Sequence, residues 1–287
     1  MSTLLISGAP GRRAVEALTL ADQNLQEVQN SLSPHKQAEA YFQWATENAQ
    51  FLRSMLSEEV VKRLVLTPTF DTLLQASPPG TTTAFFRLVA TEIAARSTAI
   101  RVLITELKSQ VERWTQGELL LVLDTNVYLH DVDLEELDLT DLVGQDQSTR
   151  LLVPMVVVDE LDNLKSGKSD VRGPARVALK TLTRALEESR LEGWLRSPPQ
   201  AGTRGARSPV RVEILLDPPR HERLPLADDE IVERAVTVAR IADRDVHLVT
   251  YDTGMEMRAR PTGLRVHKRE HADSAQRGSS PKGWRQT

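Results

Sequence analysis

Five acidic residues in the second half of the chain stand where metal-assisted hydrolysis of a phosphodiester would need carboxylates. Asp124 ends the apolar run of LLLVLDTNVYLH (119–130), and Glu160 lies in VPMVVVDELDNLK (153–165). Asp228 and Asp229 open DDEIVERAVTVARIAD, and Asp252 closes the apolar part of VHLVTYDTG. In a parallel α/β sheet, strand carboxyl ends and the starts of the helices that follow share one ligand-binding edge, so these groups can converge. Two carboxylates about 4 Å apart repel by roughly 4 kcal/mol even at an effective dielectric near 20. Such a cluster calls for a cation, and all-oxygen donors select Mg²⁺ or Mn²⁺ over zinc or copper. These ions activate water and stabilise the leaving oxygen of a phosphodiester. Asp124 is the leading direct ligand; Asp228 and Asp252 complete the site directly or through water, and Glu160 holds or orients a hydrated ion. Asp229 stays open as the alternative to Asp228. Each acid alone also fits a plain role as a helix cap, a turn residue or a solvated helix position. Their joint order carries the inference.

Around these acids stand candidates for substrate contact. Asn126 and Thr253 follow the first and last acids and are placed to position a ligand or a phosphate oxygen. Lys165, Lys168, Arg172 and Arg176 form a basic surface at a helix start, suited to phosphates as point charges. Arg204 and Arg207 lie in RSPPQAGTRGARSPVR (196–211), a loop without an acidic residue that could follow a polyanionic backbone. The net charge of −4 hides this segregation. Asp124 to Asp146 holds eight acids and no Lys or Arg, whereas Lys165 to Arg211 holds eleven Lys/Arg against four acids. An acidic pole beside basic stretches suits a metal-dependent enzyme acting on a polyanion.

The elements that must position these residues change character near Gln116-Gly117. Residues 1–116 read as an all-helical domain. One amphipathic pattern runs through Leu18, Leu25, Val28 and Leu32, and a second from Tyr41 through Leu52, Met55 and Leu56 to Val60. In a third, Phe86, Ile93, Ile100, Leu107 and Trp114 recur every seven residues along one helix of roughly thirty residues. These stripes are expected to bury one another in a bundle; a homodimer or protein partner docking through this domain is the other use for them. From 117 to 269 strand-like and helix-like segments alternate, as in a parallel α/β domain. Strands are expected at 119–123, 151–153, 210–216, 247–250 and 264–267, with helices at about 154–165, 174–192 and 228–243. Residues 270–287 read as a disordered basic tail.

Composition excludes several chemistries. With no cysteine there is no disulfide scaffold, thiolate-held zinc, iron–sulfur cluster or cysteine nucleophile. The start lacks a secretory segment, and no apolar run approaches the roughly 18–20 residues that span a bilayer, so a cytoplasmic protein without membrane contact is expected. GKS at 167–169 is no phosphate loop, because position 162, where its first glycine belongs, is Asp. His267 and His271 have helical ligand spacing but no third ligand for zinc.

With the motifs VLDTNVYLH, VPMVVVDELDNLKSG followed by VRGPARVALKTL, ADDEIVERA and HLVTYDTGMEMRAR, residues 118–268 resemble the PIN-domain nuclease family. The likeness is to the branch found in PhoH-associated proteins and nonsense-mediated-decay endonucleases. The family's four acids fall on Asp124, Glu160, Asp228 (three positions before Ile231, with Asp229 adjacent) and Asp252. The resemblance implies a three-layer α/β/α domain with a five-stranded parallel sheet, here preceded by the all-α domain. It implies Mg²⁺ or Mn²⁺ dependence and endonucleolytic cleavage of single-stranded RNA. A non-catalytic module binding RNA or a protein, and a toxin-type ribonuclease restrained by an antitoxin, are the alternatives. The long basic loop and the helical first half are departures from the family's pattern.

Overall fold

The longest apolar stripe becomes the longest helix. In the computed structural model, which describes residues 4–6, 9–30, 33–76, 82–130, 134–136, 138–166, 170–186, 191–199, 206–218 and 221–270, that helix is α5, Thr83–Trp114. It starts where the Thr82 hydroxyl accepts the Phe85 N–H at 3.4 Å. Ile93, Ile100, Leu107 and Trp114 are buried, packed among α1 (Gly11–Gln29), α2 (Pro34–Leu52), α3 (Glu58–Leu64) and α4 (Pro68–Gln75). The stripe is thus taken up within its own bundle. Phe85, one residue before the heptad position Phe86, fills the first core place. The second amphipathic pattern does not continue as one helix. The chain turns after Leu52, and Leu56 instead bridges to Leu5 before α3 begins.

Polar groups also tie the bundle. Asp22 of α1 is 7% exposed and accepts hydrogen bonds from Ser97 Oγ (2.7 Å) and Arg101 Nε (2.8 Å) of α5, and from Gln26 Nε2 (2.8 Å). Burial alone would raise its pKa, but these donors hold it below the ordinary aspartate value. The indole N–H of Trp44 donates to Ala21 O at 3.0 Å.

The described residues form two compact units, one drawn from Met1–Gln116 with Thr237–Arg244, the other from Gly117–Val236 with Asp245–Thr287. The second is built on a six-stranded sheet in the order β3-β4-β2-β1-β5-β6. Its strands are β1 Leu119–Leu123, β2 Thr149–Pro154, β3 Glu192–Arg196, β4 Val210–Leu215, β5 Val246–Thr250 and β6 Arg265–Lys268. Helices α6 (Thr125–His130), α7 (Leu139–Val143), α8 (Met155–Lys165), α9 (Arg172–Ala185), α10 (Ala227–Ala242) and α11 (Thr253–Ala259) connect them. All residues of β1 and β2 are buried, the pattern of parallel strands covered on both faces.

The five parallel strands expected from the sequence are present, and β3 joins them as an antiparallel edge against β4. The sequence predicts a helix up to 192 and the basic loop from 196, and assigns no element to 193–195. The helix stops at Ala185 because β3 must pass close by: a Cβ on Gly193 would lie 1.7 Å from Ala185 O. Beneath this edge the guanidinium of Arg150, 1% exposed, reaches Glu118 (2.8 Å), Glu213 (2.7 Å) and Glu192 (3.2 Å). Among the described residues no helix is long and apolar enough to cross a membrane. The tail at 271–287 and the segment 167–169 lie outside the described residues.

Candidate functional site

The site begins where β1 ends. Asp124 N–H donates to Val249 O at 3.0 Å, carrying the β1–β5 ladder one residue further and setting Asp124 against the end of β5. Its side chain is 2% exposed. One oxygen, Oδ2, accepts the hydroxyl of fully buried Thr250 at 2.9 Å, and the same hydroxyl accepts the Asp252 N–H at 2.9 Å. Glu160, on α8, is positioned from the β1 side: Thr125 Oγ1 donates to its Oε2 at 2.5 Å. Asp252 caps α11, accepting the Met255 N–H at 2.6 Å. Asp228 sits in the first turn of α10, where carboxylates also meet the positive end of the helix dipole.

The charges of these acids act on one another pairwise. Burial pushes the Asp124 carboxyl above the ordinary aspartate range, and the charges of Asp228 and Glu160 push it further. The Thr250 hydroxyl and the Asn126 backbone N–H act the other way. Asp228 is raised by burial and then by Asp252 and Asp229, against the opposing charge of Arg258. So Asp124 feels Asp228 and Glu160, and Asp228 feels Asp252. Of the adjacent pair, Asp228 is the one that acts on Asp124. Arg258 of α11 lies across both, 2.8 Å from Asp228 and 2.9 Å from Asp229. The turn beneath is a tight cradle: a Cβ on Gly254 would lie 2.9 Å from Asp252 Oδ1 and 3.3 Å from Arg258 Nη1.

This donor set fits a hard divalent cation. It offers carboxylate oxygen only, and burial first and neighbouring acids second raise two of its members, a cost that a bound cation would offset. Among the described residues, the group whose ligand atoms all lie within 4.8 Å of one another is a different one, Asp217, His221 and Glu230. Its members are engaged elsewhere: Glu230 accepts the Leu224 N–H at 3.0 Å and lies 2.6 Å from His221 Nε2, and Asp217 pairs with Arg223 at 2.6 Å. These contacts clamp the segment leading into α10.

The substrate-contact candidates fare unevenly. Asn126 is exposed on α6 and serves Asp124 through its backbone N–H. Thr253 opens α11 and accepts from Lys268 Nζ. Lys165 is paired with Asp162, and Arg172 and Arg176 are exposed on α9; among the described residues no contact ties these three to the four carboxylates. Arg207 precedes β4 at the amino end of the sheet and donates to Glu136 O at 2.7 Å. The basic loop joins the end of antiparallel β3 to the start of β4, so both its described ends sit at the sheet edge opposite Asp124. Lys168 and Arg204 lie outside the described residues. Sequence reasoning missed Thr250, Thr125 and Arg258. The two threonines stand beside the acids in DTN and TYD, and that adjacency was the available signal. Arg258, six residues past Asp252, had none.

Comparison with curated proteins finds none that matches. A family model described as a PIN domain matches residues 121–270, more than half of the chain. That span covers all four carboxylates and runs from within β1 to just past β6, and by it the chain belongs to the PIN-domain family.

Proposed function

We propose that the chain is a metal-dependent endoribonuclease that hydrolyses phosphodiester bonds in single-stranded RNA. Asp124, Asp228 and Asp252 would hold Mg²⁺ or Mn²⁺, with Glu160 joining directly or through water. The observation that carries this reading is the buried Asp124 at the carboxyl edge of a PIN-domain sheet, with the charges of Asp228 and Glu160 acting on it and that of Asp252 acting on Asp228. When bound, the ion supplies water activation and charge compensation at the phosphate. The chain's own residues do the rest. Thr250 and Thr125 fix the rotamers of Asp124 and Glu160, so that the oxygens need no reorganisation when a cation arrives. Arg258 balances Asp228 and Asp229 until then. Lys268, beside Thr253, offers positive charge next to the acids.

The test is cleavage of a labelled single-stranded RNA by the full chain with Mg²⁺ or Mn²⁺ and with chelator. Wild type should cut only with metal. Asp124→Asn and Asp252→Asn should each lose at least about 100-fold, the upper end of what removing even an outer partner of a metal costs. If both variants cut as well as wild type, the assigned site is wrong. RNA binding without cleavage by wild type would instead mark a binding module.

A further inference from the structure

The carboxyl edge continues past the four carboxylates to two cations, Lys268 and Arg269, set among the acids Asp141, Glu256 and Glu270 and beside two aromatic rings. Strand β6 lies beside β5 with Lys268 opposite Thr250, and Arg269 N–H donates to Thr250 O at 2.9 Å. Lys268 and Arg269 are therefore neighbours of Asp252. Lys268 reaches the Thr253 hydroxyl, and Arg269 Nε lies 3.4 Å from Tyr251 Oη. Tyr251 immediately precedes Asp252, and its ring meets His130 edge-on, with centroids 5.9 Å apart at 76°. His130 ends α6, the helix that starts directly after Asp124. Each ring is thus tied through the chain to one strand-end acid.

Arg269 connects these rings to an open cleft of about 570 Å³ between α7 and β6, lined among others by Thr140, Asp141, Gly144, His267, Lys268 and Arg269. That volume lies within the roughly 300–1,000 Å³ of small-molecule sites. Arg269 Nη1 pairs with Asp141 at 2.8 Å, but the Asp141 side chain is 64% exposed. Water screens the Asp141 partner, so a phosphate can compete with that carboxylate for the guanidinium.

We propose that this surface is a nucleotide subsite, with the Tyr251 ring as the platform for one unstacked base, His130 standing edge-on beside it, and Lys268 and Arg269 holding the backbone phosphates along the cleft. The proposal rests on the ribonuclease reading and names what that site would recognise: RNA with its base faces free, since a base inside a duplex is already stacked on its neighbours. His130 is exposed and Tyr251 half-buried, whereas Tyr128, a ring of the core, is 5% exposed.

Fluorescence anisotropy of the full chain with a labelled decauridine, in chelator so that nothing is cut, tests the subsite independently of catalysis. A series of oligonucleotides with one abasic position moved along the strand locates the stacked base. Wild type should lose about tenfold in affinity at one position, the size of one base–aromatic stack. Tyr251→Ala should lose about as much on the intact strand and become indifferent to that abasic position; Tyr251→Trp should restore both. Unchanged binding by Tyr251→Ala, or an abasic penalty that persists in it, overturns the subsite. Wild type that fails to bind the strand overturns it too. The coupled pattern without metal-dependent cleavage keeps the subsite and sinks the ribonuclease; cleavage without the pattern does the reverse.

Discussion

A single hydroxyl links the Asp124 carboxylate to the backbone of Asp252, since Thr250 donates to the one and accepts the N–H of the other. The arrangement holds charge where charge is unfavourable. The folded-state pKa of Asp124 is raised by burial and by neighbouring acids, so the protonated form favours folding. Stability is then lost as pH rises from the ordinary aspartate value near ~3.9 through the raised one. At neutral pH Asp124 is a liability that the proposed divalent cation would relieve. Asp124→Asn should therefore melt above wild type in chelator at neutral pH, and should lack the rise in melting temperature that Mn²⁺ is expected to give wild type. The wild-type rise should also shrink as pH falls into the raised range. Differential scanning fluorimetry with and without metal across pH measures all three, and an Asp124→Asn protein melting below wild type in chelator would contradict the account. The acids were legible because each stands at a strand end or on a helix after one, in a fixed order. Arg258 was not, because a lone arginine on an exposed helix face reads the same whether it meets water or an acid pair.

Elements show the same division between what periodicity carries and what it does not. The heptad stripe of α5 and the apolar runs of β1, β2, β4 and β5 were readable because burial on a helix face or a covered sheet leaves a periodic trace. Strand β3 left none: its residues are mostly half-buried and it is bounded by Glu192 and Arg196, so it forms because β4 offers an open edge. The break between α2 and α3 was hidden in the same way, since Leu56 keeps the apolar pattern from within a turn. The tie of Asp22 to α5 spans 75 residues to Ser97 and 79 to Arg101, beyond any local pattern. Its folded pKa is lowered, so its contribution is present above the ordinary aspartate value and lost as pH falls through the folded one. Asp22→Ala should cost about 1–3 kcal/mol by leaving the buried Ser97 hydroxyl unsatisfied. In urea denaturation of the full chain, the difference from wild type should be largest at neutral pH and shrink in acid. Equal midpoints at neutral pH would count against this role.

At the scale of the molecule, α10 is unusual in its membership. Its first turn carries Asp228, yet Thr237–Arg244 belongs to the compact unit built from the first 116 residues. There Val238 and Ile241 are 1% and 3% exposed, and Arg244 Nη1 donates to Trp114 O at 3.1 Å. No sequence signal announces this, because α10 reads as one uninterrupted amphipathic helix. A fragment of residues 117–287 should thus expose core side chains worth about 1.5–3 kcal/mol each when buried. It should melt below the full chain and bind more of a hydrophobic dye; a fragment as stable as the parent would refute the assignment. The sheet itself ends in two strands that share a further property. An open edge is a template on which other chains can add strands. β3 is five residues long, charged at both ends and shifted in register between Trp194 and Arg196; β6 is four residues long and carries Arg265 and Lys268. Short, charged and irregular edges offer little to a second copy, so the folded protein should stay dispersed when concentrated, without strand-to-strand growth into fibrils.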